Sequence, residues 1–118
     1  MAKDDYFVIV YRVLTYLYAC LKRKILFDEV TFQAAVRKHV ENDEYFTNVL
    51  RLMQEDGMIE GLTFAKAWDG IYLLASEVRD AQITQKGIEY LKGNSRMKKI
   101  GQALKEAVDL IASLAGIL

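Results

Sequence analysis

Residues 42–78 read NDEYFTNVLRLMQEDGMIEGLTFAKAWDGIYLLASEV, and the change of rhythm at Gly57 decides the fold. Phe46, Val49, Leu50 and Met53 recur at i, i+3, i+4 and i+7, the spacing that lines one face of an α-helix. Asn42 or Asp43 supplies an N-cap and Gly57 a left-handed stop, so the pattern predicts a helix reaching Asp56. Beyond Gly57 the helical period is gone. Met58–Ala65 and Ile71–Val78 are rich in strand formers, and Lys66-Ala67-Trp68-Asp69-Gly70 between them ends in an Asp-Gly turn signal. A helix running into a hairpin is predicted.

Two more helices are predicted upstream. Tyr6–Leu21 carries Phe7, Val10, Leu14, Leu17, Tyr18 and Leu21 on one face and Ile9, Val13, Tyr16 and Cys20 on another. A helix apolar on nearly every side is buried on more than one side. Lys22-Arg23-Lys24 closes it, where cations suit the negative end of the dipole. Asp28 opens a second helix to about Val40, with Val30, Ala34 and Ala35 inward and Arg37 and Lys38 outward. Downstream, Thr84 caps a short helix over Gln85–Leu91 that breaks at Gly93-Asn94, and Asn94 or Ser95 caps a last helix reaching nearly to Leu118.

The order of three helices, a hairpin and two helices defines a mainly α chain with a small β-hairpin, the α+β arrangement of a winged helix-turn-helix plus a long C-terminal helix. Residues 1–93 are expected to form the winged-helix domain. Residues 94–118 then form a helix with a 3-4 seam: Met97, Ile100, Leu104, Ala107, Ile111, Leu114 and Leu118. The seam either packs on helix 1 of the same chain or, together with helix 1, makes a homodimer contact. The uncharged run Leu110–Leu118 would leave a large apolar patch in water if nothing covered it.

At 118 residues and 53% hydrophobic, the chain suits one domain with an adequate core. The start, Met1-Ala2-Lys3-Asp4-Asp5, lacks the order of a signal peptide, and Tyr6–Leu21 is too short and too charged at Arg12 to span a bilayer. With one cysteine and no intrachain disulfide, a cytoplasmic location and no membrane partner are expected.

The segment Ile83-Thr84-Gln85-Lys86-Gly87-Ile88-Glu89-Tyr90-Leu91-Lys92-Gly93-Asn94-Ser95-Arg96-Met97-Lys98-Lys99 resembles the YjcQ family of small bacterial and prophage proteins. The pattern Ile-Thr-x-Lys-Gly-x-Glu-Tyr-Leu-x-x-Asn-Ser-x-Met-Lys-Lys carries the resemblance, because a bare Thr-x-x-Gly-x-x-Tyr-Leu is shared by many winged-helix families. Upstream, Leu52-Met53-Gln54-Glu55-Asp56-Gly57-Met58-Ile59 resembles a recognition helix running into a wing strand. Helix 1 is longer and more aromatic than in the family. The resemblance implies a winged-helix fold with a DNA-binding or regulatory role, and no catalytic residues or cofactor.

Charge divides the chain. Lys+Arg and Asp+Glu both number 16, so there is no global surplus to attract phosphate. Residues 40–60 hold Arg51 against Glu41, Asp43, Glu44, Glu55, Asp56 and Glu60, a balance of −5. Residues 86–105 hold Lys86, Lys92, Arg96, Lys98, Lys99 and Lys105 against Glu89, a balance of +5. The helical phase sets Glu44, Thr47, Asn48, Arg51 and Glu55 opposite the apolar stripe. Asn48 and Arg51 suit base edges, Lys66 the wing, and Lys86, Lys98 and Lys99 the duplex backbone. Two functions stay open. One is a DNA-binding transcriptional regulator of prophage type; the other is a protein-interaction module that keeps the fold and has lost DNA affinity, its acidic and basic segments facing partners.

The remaining singular residues point away from chemistry. His39, the only histidine, stands in no Cys/His/Asp pattern of metal-ligand spacing, and Cys20 falls on a core face with nothing near to activate it. Asp28-Glu29 and Asp43-Glu44 read as helix starts rather than acid/base pairs. No phosphate loop or nucleophile motif is present, so no enzyme, metal or cofactor is expected. Trp68 at the wing tip either folds back onto the body, the preferred reading, or stands out as an anchor.

Overall fold

The computed structural model describes residues 5–104. Its centre is helix α1 (Tyr6–Leu21), which Asp5 caps by accepting the Phe7 N–H at 3.0 Å. Every residue from Val8 to Leu14 is buried, as are Tyr16 and Leu17. A helix without a polar side needs neighbours all round, and α1 packs against the helices Glu29–Ala35, Asp43–Glu55, Gln85–Gly93 and Ser95–Ala103 and the strand Gln82–Ile83.

Helix α2 (Glu29–Ala35) starts at Asp28, whose carboxylate accepts both the amide and the hydroxyl of Thr31 at 2.9 Å. It stops sooner than the sequence predicts. Val36 leaves the helical region, a 3-10 turn follows over Arg37–His39, and the Arg37 guanidinium donates to the Val40 carbonyl while pairing with Asp43. Val30, expected inside, is 76% exposed. The inward face is instead Thr31, Phe32, Ala35 and Val36, a phase set by Phe32 packing among Tyr16, Phe27 and Phe46. Val30, two residues from Phe32, is turned to the far side.

Helix α3 (Asp43–Glu55) is capped by Asn42, which accepts the Tyr45 N–H at 3.0 Å, and buries Phe46, Val49, Leu50 and Met53 as the stripe predicts. Gly57 follows with φ +80, the left-handed position that only glycine takes without strain.

The wing is more broken than a single hairpin. Strand β1 (Ile59–Glu60) pairs with β4 (Gln82–Ile83), Ile59 opposite Ile83, and β2 (Phe64–Lys66) pairs with β3 (Tyr72–Leu74), Phe64 opposite Leu74. Both ladders are antiparallel. The predicted continuous runs fail at two places. Gly61 holds φ +99 so close to the return strand that a Cβ would lie 2.3 Å from the Asp80 carbonyl oxygen. Across from it, Glu77 and Asp80 cap one another's backbone and wind Val78–Asp80 into a 3-10 turn. The tip is tightened by Gly70 N–H donating to the Ala67 carbonyl and Ala67 N–H donating to the Ile71 carbonyl, a turn-plus-bulge closure.

Helix α4 (Gln85–Gly93) begins at Thr84, whose hydroxyl accepts the Gly87 N–H at 3.0 Å. Helix α5 is described over Ser95–Ala103, capped by Asn94 accepting from the Arg96 and Met97 amides. Met97 and Ile100 are buried and α5 lies on α1. Leu104 is half-buried; Ala107, Ile111, Leu114 and Leu118, with Lys105, lie outside the described residues.

Candidate nucleic-acid interface

The residues singled out for DNA fall into two groups. Asn48 and Arg51 on α3 meet Lys66 on β2 through a residue that the sequence reading overlooked. Strand β3 packs on α3, and the Arg51 guanidinium lies 4.3 Å from the centre of the Tyr72 ring. Lys66 Nζ lies 5.7 Å from the same ring. Arg51 also pairs with Glu55, donates to Asn48 Oδ1 at 3.4 Å, and buries an Nε that has no hydrogen-bond partner. Thr47 and Asn48 are half-buried. The polar face of α3 is thus partly covered by the wing, and its one cation is held within the chain. The exposed charged side chains left on α3 and its C-cap, Asp43, Glu44, Glu55 and Asp56, are acidic, and Leu52 is exposed beside them.

The wing is fastened to α3 by a second overlooked residue. Gln54 Nε2 donates to the Leu62 carbonyl and Gln54 Oε1 accepts the Leu62 N–H, both at 2.9 Å. Such a two-point amide clamp fixes where β2 and β3 leave the body. Trp68, at the end of that arm, is 99% exposed, so the preferred reading that folds it back is incorrect. The tight turn aims residue 68 away from the body, and the hairpin is too short to curl over it.

Lys86, Lys98 and Lys99 lie on α4 and α5, as do Lys92 and Arg96. All five are exposed, and none has a carboxylate partner among the described residues, where the ion pairs are Arg37–Asp43, Arg51–Glu55 and Arg79–Glu77. Lys92 reaches over the Tyr18 ring and Arg96 over the Phe7 ring, at 5.5 and 4.1 Å, so α1 aromatics support both side chains. Arg96 and Lys99 share a shallow cleft of about 280 Å³ with Asn94 and Ser95 at the start of α5. Lys86 lies apart, its Cδ over Gly57. The basic surface continues to the end of α1, where burial and the charges of Lys24 and Lys92 hold Lys22 below the ordinary lysine range.

Burial pushes the Cys20 thiol up to about 11, which leaves it protonated and unreactive at neutral pH. Among the described residues no three His, Cys, Asp or Glu side chains converge as metal ligands, and no helix is long and apolar enough to cross a membrane.

Fold and surface together define a small, mainly helical protein of the α+β class, with a projecting hairpin and exposed cations along α4 and α5. The chain belongs to the YjcQ protein family, which it matches over residues 11–110, a span reaching back into α1. No curated protein and no solved structure matches it.

Proposed function

We propose that this chain is a DNA-binding winged-helix protein, a transcriptional regulator of prophage type rather than an enzyme, which holds the duplex mainly through phosphate contacts from the α4–α5 flank and the wing. One observation carries the reading: the five cations between Lys86 and Lys99 are all exposed and free of carboxylates among the described residues. Phosphate neutralisation by such groups supplies most non-specific affinity for duplex DNA. Lys66 and Trp68 extend the surface along the wing. Arg51, held by Glu55 and Tyr72, contributes little base reading in this arrangement.

The test is fluorescence anisotropy on a random duplex, at low salt and again near about 200 mM. Binding should weaken steeply with salt, and K98A/K99A should reduce the logarithmic salt slope by about two while R51A leaves it unchanged. A second reading is favoured by the acidic, wing-covered face of α3: a protein-interaction module on a winged-helix scaffold, as a monomer or a homodimer. Absence of duplex binding even at low salt would select it.

A further inference from the structure

A cleft of about 430 Å³ opens where the end of α1 meets the return limb of the wing, its last lining residue, Ile83, just ahead of Lys86 in sequence. Leu17, Ile25, Phe27 and Ile83 give it an apolar floor, and Arg23 and Arg79 line it as well. Its volume is that of a small-molecule site, and an apolar cavity with a few placed polar groups is the usual build of one. Leu21 and Leu26, which also line it, remain 54% and 72% exposed, so apolar surface is left in water around it.

Arg23 gives the cleft its chemical sign. It follows the α1 C-cap and donates its amide to the Cys20 carbonyl while Lys24 donates to the Ala19 carbonyl, the hydrogen-bond pattern of a helix end whose turning residue is left-handed. That position favours glycine, yet Arg23 occupies it at φ +61. The fold thus carries a strained backbone at Arg23 that glycine would relieve. Arg23 has no carboxylate partner among the described residues. Arg79 shares its charge with Glu77, 3.4 Å away, and with Asp28, whose carboxyl is held below the usual range chiefly by the Thr31 amide and hydroxyl and in lesser part by Arg79. Lys22 and Lys24 flank Arg23 in sequence, and Arg23 and Arg79 are the charged residues that line the cleft.

We infer that this cleft binds a small organic anion with an apolar body, its acidic group meeting Arg23 and Arg79 and its body lying on Leu17, Ile25, Phe27 and Ile83. The site stands independently of the nucleic-acid reading. An occupant touches Ala81, Gln82 and Ile83, the segment that includes β4 and thereby holds β1, so it rests against the root of the wing.

Anilinonaphthalene sulfonate, an aromatic anion that fluoresces in apolar surroundings, is the probe. The full chain should bind it saturably, decanoate should displace it, and decyltrimethylammonium should not. R23G and R79Q should each weaken probe binding by about tenfold, with K38Q as an exposed control that leaves it unchanged. R23G should melt at or above the parent temperature, because glycine suits the left-handed position, so its lost binding cannot be ascribed to unfolding. Absence of saturable binding, equal affinity in all three variants, or displacement by the cationic amphiphile as readily as by decanoate would each overturn the assignment.

Discussion

Replacing Gly87 by alanine sets two effects of opposite sign against each other. Gly87 lies in the first turn of α4, where a Cβ would sit 2.2 Å from the Met58 carbonyl oxygen and 2.9 Å from Ile83 Cγ1. Real Cβ contacts do not fall below 3.0 Å, so helix and strand must part by most of an ångström. The Met58 oxygen also accepts the Thr84 N–H at 3.1 Å, and the Thr84 hydroxyl donates to the Gly57 carbonyl. Separation strains both bonds, at about 1 kcal/mol each. Overpacking adds about 1–3 kcal/mol, whereas alanine gains about 1 kcal/mol over glycine in helix preference. The expected net loss is about 2–4 kcal/mol. Urea denaturation followed by circular dichroism would read it as a lower midpoint at unchanged m. A G87A chain as stable as the parent, or more stable, would refute the close junction of α4 with β1.

Three further outcomes follow from the packing. Tyr16 is fully buried and its hydroxyl both donates to the Asp28 carbonyl and accepts the Asp28 N–H at 3.1 Å, so Y16F should lose about 1–2 kcal/mol in the same assay; unchanged stability would show that the bridge is idle. Q54E keeps an acceptor for the Leu62 N–H but cannot donate to the Leu62 carbonyl, and should speed amide exchange at Leu62; unaltered exchange would mean the wing is held by other contacts. Because burial raises the folded Cys20 thiol to about 11, its contribution to stability is complete below the unfolded value near 9 and is lost as pH rises toward 11. The parent should therefore lose more thermal stability than C20A across that window, and parallel curves would count against a buried thiol.

Repeating side-chain patterns and caps were legible in the sequence; features made by contact between distant segments were not. The α3 stripe, its Asn42 cap and its Gly57 stop show in the sequence because all three are local. Thr84 and Asn94 announce α4 and α5 for the same reason. Val30 was misplaced because a seven-residue helix has too few turns to fix its phase, and the aromatic cluster around Phe32 settles it. The two-ladder wing was hidden because Gly61 meets Asp80 across the ribbon, and β4, at two residues, carries no alternation to read. Arg51 read as a base contact by helical phase alone; that it stacks on Tyr72 depends on how β3 lies against α3.

The YjcQ-like segment can be sorted by what each residue does in the fold. Ile83 is buried opposite Ile59, Thr84 and Asn94 are caps, Gly87 admits the Met58 carbonyl, and Tyr90 and Leu91 pack on the core that Met97 enters. These positions specify the joint between wing, α4 and α5, which are duties of the fold and not of chemistry. Glu89 accepts a hydrogen bond from Gln85 and Lys86 lies over Gly57, which are slight local duties. Lys98 and Lys99 are different: both are exposed, and neither has an ion-pair or ring contact among the described residues. Packing and capping do not occupy the pair, so both are placed to meet a polyanion if one is bound. The flank of α5, more than the polar face of α3, is therefore where the DNA reading stands or falls.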